Sequence, residues 1–228
     1  MNIVYWDIDG TLINTGVAGM HAVLEVFRQC KGPKVHLPRI EAGGRTDNYI
    51  CQQVLYKSTG IMPTEEEVQS FCRQYEAALL KWLQRTGKEG TIFKAVPPIL
   101  EALHHKPQVK QLLLTGNSSI GAKLKLSYFG LDKYFDFVHS GFAFHFYYRN
   151  DLAQHARKIA EKQWGDEIAE VYVIGDTPYD IQCGKAIGAK TIAVATGHYS
   201  YDVLAACEPW AVLPELPDVD TFISLLQV

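Results

Sequence analysis

The chain has 228 residues, of which 47% are hydrophobic and 21% charged, with a formal net charge of −3. That length buries a sizeable core, as one domain with an insertion or as two modest ones, and the composition excludes a disordered chain. The positive residues are scattered, which excludes a nucleic-acid footprint and a polybasic membrane patch.

Ile3 to Ile8 reads as a short buried strand, rich in β-branched and aromatic residues and closed by Gly10. Helical spacing follows over Met20 to Cys30, with Val23, Leu24 and Phe27 on one face. A turn-rich stretch from Gly32 to Gly44 precedes a second helix, Asp47 to Tyr56. The third helix has the clearest start: Thr64-Glu65-Glu66-Glu67 fits a capping box, with Thr64 as N-cap and Glu67 reaching back. Its apolar stripe is Val68, Phe71, Tyr75, Leu79 and Trp82, and Gly87 lies just past its expected end.

From Val96 onward the pattern alternates. Strands are expected at Val109–Leu114, Phe135–Val138, Val171–Ile174, Thr191–Val194 and Ala211–Leu213. Between them fall helices at Pro98–His105, Ser119–Phe129, Asp151–Gln163, Tyr179–Ile187 and Tyr201–Ala206. This alternation implies an α/β fold, a doubly wound and mostly parallel sheet with helices on both faces. The roughly 70 helical residues after the first strand are too long for a loop and read as an inserted α-helical domain. The expected division is residues 1–15 and 89–228 for the α/β core and 16–88 for the helical insertion.

Five cysteines (Cys30, Cys51, Cys72, Cys183, Cys207) are odd in number and lack a CxxC pair, which favours free thiols over a disulfide framework or a structural zinc. The first apolar run is too short for a signal peptide, and no stretch approaches the ~20 apolar residues of a membrane span. A cytoplasmic protein is expected.

Polar clusters follow the apolar strands: Asp7-Ile8-Asp9-Gly10-Thr11, Thr115-Gly116-Asn117-Ser118, Arg149-Asn150-Asp151 and Gly175-Asp176-Thr177-Pro178-Tyr179-Asp180. In an open parallel sheet the ligand crevice lies beyond the carboxyl ends of the strands, so these clusters are expected to converge. Asp7 and Asp9 point to opposite sides by the period of two unless the chain turns, and Gly10 permits such a turn. Asp7 with Asp176 suits a hard cation that keeps some waters, as Mg2+ does. The Thr115 hydroxyl and the following backbone N–H groups suit a phosphate, and Arg149 adds a charge-assisted contact.

In order, these clusters resemble the four motifs of the haloacid dehalogenase (HAD) superfamily, in its phosphatase branch related to phosphoglycolate phosphatases. The similarity spans Asp7 to Asp180, and the helical block resembles that superfamily's C1-type cap. The DxDGT and GDTPxD motifs are specific in combination, whereas the third is weak. The resemblance implies that Asp7 attacks phosphorus to form an aspartyl-phosphate and that Asp9 serves as general acid and base. It further implies that Asp7, the Asp9 carbonyl and Asp176 bind Mg2+, with Asp180 ligating it or holding its waters. Gly10, Thr11, Thr115, Gly116, Asn117 and Arg149 would bind the phosphate. Relatives carry a lysine in the third motif. Here Arg149 stands there, with Lys158, Lys123 and Lys125 as alternatives.

Plain structural roles compete with several of these. Asp-Gly is a common turn dipeptide, and Asp176 and Asp180 alone would serve as turn and helix-start acids. Gly44-Arg45-Thr46-Asp47 reads as a helix start or as an insertion loop reaching the substrate, with Arg45 as the contact. Tyr75 and Trp82 belong to the core of the insertion, Tyr147 and Tyr148 either line the pocket or pack, and His104 and His105 face solvent. The expected substrate is a small phosphorylated metabolite, with no nucleic-acid or membrane partner and a monomer or homodimer as the assembly. A sugar phosphomutase shares the motifs, although Thr11 stands where mutase relatives commonly carry valine. A dehalogenase has no need of Asp9, a receiver domain is half this length, and a HAD-like binding protein is the remaining alternative.

Overall fold

The computed structural model describes residues 1–86, 89–143 and 145–228. Strands β1 (Asn2–Trp6), β4 (Val109–Leu113), β5 (Glu170–Gly175), β6 (Lys190–Val194) and β7 (Ala211–Leu213) form one sheet in the order β4-β1-β5-β6-β7. All its pairings are parallel. A two-stranded antiparallel ribbon, β2 (Ile13–Asn14) with β3 (Thr91–Ile92), stands apart from it.

The apolar runs explain the layering. Along β1, Val4 and Trp6 pack with Leu100, Leu126 and Phe222 on one side of the sheet. Ile3 and Tyr5 pack with Leu152, Ala156 and Val173 on the other. Alternate residues thus feed two cores, as a strand with both faces covered requires. Helices α4 (Val96–His104), α5 (Ser119–Tyr128) and α9 (Val219–Leu226) supply the first core, and α6 (Arg149–Trp164) and α7 (Pro178–Ala186) the second. A short α8 (Tyr201–Ala205) precedes β7.

Helices α1 (Ala18–Lys31), α2 (Asp47–Thr59) and α3 (Glu65–Thr86) share a separate core of Val23, Phe27, Val54, Phe71, Tyr75 and Leu79. Thr64 and Glu67 exchange the hydrogen bonds of a capping box, 2.7 Å and 3.3 Å between backbone nitrogen and side-chain oxygen. Gly87, expected just past α3, lies outside the described residues. The chain enters and leaves this block through the β2–β3 ribbon, where Ile13 pairs with Ile92. Gly16 and Val17 follow with φ of 58° and 63°. This left-handed geometry is costly for a β-branched valine. A Cβ on Gly16 would come within 2.7 Å of the Thr86 carbonyl, so the two crossings are held close together.

One expected strand is absent. Residues 135–138 form bends, and Val138 is 80% exposed. The Asp136 N–H reaches the Gln111 carbonyl beside β4 (3.2 Å), but its carboxylate accepts the N–H groups of Val138 and His139 and turns the chain away. The segment rejoins the edge of the sheet only at Gly141, whose N–H donates to the Leu113 carbonyl at 2.7 Å.

Candidate active site

Adjacent strands β4, β1 and β5 end side by side, and each delivers its next polar residue to one place. Asp7 follows β1 and continues the ladder for one step, its N–H donating to the Ile174 carbonyl at 2.9 Å. The chain then turns. The Ile8 carbonyl accepts from Leu12 (2.9 Å) and Ile13 (3.1 Å), and Gly10 has φ 87°. A Cβ on Gly10 would lie 2.4 Å from an Asp176 oxygen, so the approach of this turn to Asp176 requires glycine. Beyond β4, the Thr115 hydroxyl favours the charged form of the neighbouring Asp7 carboxylate and accepts the Asn117 side-chain N–H at 2.8 Å.

Buried Asp7, Asp176 and Asp180 each offer an oxygen, and these three atoms lie within 4.8 Å of one another. An all-carboxylate donor set fits a hard cation. The Thr11 hydroxyl donates to Asp176 at 3.1 Å. Asp180 reaches the cluster because Thr177 and Asp180 form a capping box at the start of α7, with the Thr177 hydroxyl donating to Asp180 Oδ2 at 2.6 Å.

The electrostatics follow from this crowding. Burial pushes the Asp7 carboxyl up to about 7, and the Asp180 charge adds to the rise while Arg149 opposes it. Burial, then the charges of Asp180 and Asp7, likewise hold Asp176 well above the ordinary carboxylate range. Carboxylates this close do not all ionise without compensating positive charge, and a cation supplies it. Arg149 supplies part: its Nη1 and Nη2 each lie 3.3 Å from Asp7 Oδ1, and Nη2 also bonds Asp180. Burial opposes the Arg149 charge, but Asp180 and Asp7 more than restore it.

The basic alternatives separate cleanly. Among the described residues Arg149 contacts Asp7, Lys158 is exposed, and Lys123 pairs with Asp132 at the surface (2.8 Å). Lys125 enters the site at a different point. Its Nζ lies 2.5 Å from Asp9 Oδ2 and 2.6 Å from Asn117 Oδ1, and Asn117 Nδ2 donates to the same Asp9 oxygen at 2.9 Å.

The loop before α2 closes over this edge. A Cβ on Gly116 would fall 2.1 Å from the Arg45 carbonyl, and one on Gly44 would fall 2.5 Å from the Thr177 hydroxyl. The Arg45 guanidinium lies 4.1 Å from the centroid of the Tyr179 ring and 4.7 Å from that of Tyr49, and its buried Nε has no hydrogen-bond partner among the described residues. Thr46 caps α2, accepting the Tyr49 N–H at 3.2 Å, and donates to the Tyr147 carbonyl at 3.0 Å. Asp47 is more than a helix start. Its N–H donates to the Gly116 carbonyl (2.7 Å), and its buried carboxylate accepts the Ser118 N–H (2.8 Å). Tyr147 packs against the helical block, Tyr148 is 61% exposed, and both His104 and His105 are exposed.

Sequence reasoning left Lys125 open only as a third-motif candidate, read Asp47 chiefly as a helix start, and missed the loop after β6. There the Thr196 hydroxyl donates to the Gly10 carbonyl (2.6 Å), and a Cβ on Gly197 would sit 1.7 Å from an Asp176 oxygen. The usable signal for Lys125 is its position three residues after Ala122 and next to Leu126, on the buried stripe of α5.

The fold recurs in solved structures. A HAD hydrolase of family IA, variant 3, from Entamoeba histolytica superposes with TM-score 0.75 at 17% identity, covering 100% of both chains. A predicted phosphatase from Clostridium acetobutylicum gives TM-score 0.66 at 18% identity, covering 100% of this chain and 99% of that one. By sequence, the pyrophosphatase PpaX of Halalkalibacterium halodurans is 25% identical over 96% of this chain and 95% of its own length. The family model for haloacid dehalogenase-like hydrolases matches residues 4–194. With that match spanning β1 through β6 and both ends of the acidic cluster, the chain belongs to the haloacid dehalogenase-like hydrolases.

Proposed function

We propose that this hydrolase is a Mg2+-dependent phosphatase of small phosphomonoesters, with Asp7 as nucleophile. The observation that carries the reading is the convergence of Asp7, Asp176 and Asp180 with Arg149 and Thr115 beyond the ends of β1, β4 and β5. An Asp7 oxygen attacks phosphorus, the bond from phosphorus to the leaving oxygen breaks, and Asp9 gives that oxygen a proton. Water then attacks the aspartyl-phosphate, Asp9 takes back a proton, and phosphate leaves with Asp7 restored. Arg149 and Thr115 orient and neutralise the phosphoryl group, with Gly10, Thr11, Gly116 and Asn117 shaping its cradle. Mg2+, held by Asp7, the Asp9 carbonyl and Asp176, with Asp180 behind them, would neutralise charge on the transferring oxygens.

Residues 16–88 act in this reading as a cap that closes the site against bulk water, and Arg45 is its substrate contact. The likeness to the pyrophosphatase PpaX makes inorganic pyrophosphate a second substrate to test. A provisionally named β-phosphoglucomutase from Bacteroides vulgatus shares the fold at TM-score 0.69, but Thr11 favours hydrolysis. The test is phosphate release from a panel of small phosphomonoesters and pyrophosphate, with and without Mg2+. Wild type should release phosphate only with the metal, and Asp7→Asn should lose at least about 10³-fold. Release that survives Asp7→Asn overturns the reading, as does an isomerised phosphosugar formed without free phosphate.

A further inference from the structure

Lys125 is the charged group of this site that the four-motif reading leaves without a task. Its side chain is 6% exposed, yet that of its partner Asp9 is 41% exposed, so a buried ammonium is aimed outward at a half-open carboxylate. Burial of a lysine is costly unless it is paired and hydrogen-bonded. Here Asp9 Oδ2 and Asn117 Oδ1 take two of its three donors. The buried Asp47 carboxylate of the helical block faces it as well, and the Lys125 charge acts on that carboxylate.

The geometry is that of a clamp on one oxygen. Asp9 Oδ2 receives both the Lys125 ammonium (2.5 Å) and the Asn117 amide (2.9 Å). Among the described residues, Asp9 Oδ1 has no hydrogen-bond partner. Asn117 is itself fixed, because its Nδ2 also donates to the Thr115 hydroxyl (2.8 Å). A carboxyl group anchored through one oxygen presents the other in a fixed direction, and orientation of this kind is what a general acid needs from its neighbours.

Resting on the reading of Asp9 as acid and base, we propose that Lys125 is the positioning residue of Asp9, fixing the carboxyl that protonates the leaving group and later activates water. In the first step the phosphorus–oxygen bond breaks as the proton passes from Asp9 to the departing oxygen. The carboxylate left behind is stabilised by the ammonium already in place. In the second step that carboxylate takes a proton from the attacking water.

The consequence is a selective dependence on the leaving group. An alkoxide needs the proton, whereas p-nitrophenolate departs without it. Single-turnover and steady-state kinetics of wild type, Lys125→Met and Lys125→Arg are compared with Mg2+ on β-glycerophosphate and p-nitrophenyl phosphate. For Lys125→Met, β-glycerophosphate turnover should fall about 30-fold or more with KM changed less than about 3-fold. With p-nitrophenyl phosphate the nitrophenolate burst should stay within about 3-fold of wild type while the steady-state rate falls, so that phosphoenzyme accumulates. Lys125→Arg should recover about 10-fold of the lost alkyl-phosphate turnover. Equal losses in the single-turnover phosphorylation rates of both substrates, or no loss on either, overturn the role. Should Lys125→Met not fold, Lys125→Gln takes its place under the same criteria, since a selective alkyl-phosphate deficit supports positioning and wild-type behaviour of this uncharged variant refutes it. Asp7→Asn and Asp9→Asn run alongside. Activity persisting in Asp7→Asn removes the underlying phosphatase reading. Inactive Asp7→Asn, burst-only Asp9→Asn and unaffected Lys125→Met together remove only the present proposal.

Discussion

Gly197 brings its backbone against Asp176 so closely that a methyl group there would overlap the carboxylate, 1.7 Å from the nearer oxygen. Gly197→Ala therefore has to displace Asp176 or the loop after β6. A loss of Mg2+ affinity of about 10-fold or more is expected by titration calorimetry, together with lower activity. The acidic cluster makes a second prediction. Burial and mutual repulsion raise Asp7 to about 7 and hold Asp176 well above the ordinary carboxylate range, so near neutral pH the metal-free cluster retains protons that a cation displaces. Binding at pH 7 should release at least about half a proton, the share held by Asp7, read from calorimetry in buffers of different ionisation enthalpy. No buffer dependence would contradict the raised values. Asp7, Asp176 and Thr115 were legible in the sequence because each directly follows an apolar strand, where the chemistry of a parallel sheet collects. Gly197 was not, because its significance is a tertiary approach that local pattern does not encode. Lys125 was half legible, as a charge on an apolar stripe.

At the scale of elements, the start of α2 joins the helical block to the sheet. Asp47 shares two hydrogen bonds with the turn after β4, and burial raises its carboxyl to about 6, with Lys125 and the Ser118 N–H holding it lower than burial alone would. A folded-state value above the ordinary 3.8 means that the folded protein holds this proton more tightly than the unfolded chain does. Stability from Asp47 is thus fully present below about pH 4 and is lost as pH rises through about 6, on the order of 3 kcal/mol. Asp47→Asn should remove that slope, so its thermal-melting difference from wild type should shift between pH 4 and 7. A constant difference across the range would refute the assignment. Helix and strand cores were readable from periodicity, since each apolar stripe found a partner core. Their ends were less so: α4 takes Pro97 and Pro98 into its first turn and begins at Val96. Residues 135–138 read as a strand by composition, yet the Asp136 carboxylate competes for the N–H groups a ladder would use.

For the whole molecule, the order of layers was fully readable, because alternation over β1 and β5 demands cover on both faces and the helices between strands provide it. The seat of the helical block was not. It depends on Gly44 and Gly116 letting backbones meet, and on Arg45 sliding between two tyrosine rings. The β2–β3 ribbon carries a consequence for engineering. Since Ile13 and Ile92 are already cross-strand partners, the chain between them is an excursion from the two legs of a hairpin. Splicing Asn14 to Thr91 through an Asn-Gly turn should yield a miniature protein that folds and keeps its metal affinity. It should show little discrimination among phosphorylated compounds. Grafting the excised helices of another family member onto the same two legs would then transplant selectivity without touching the nucleophile.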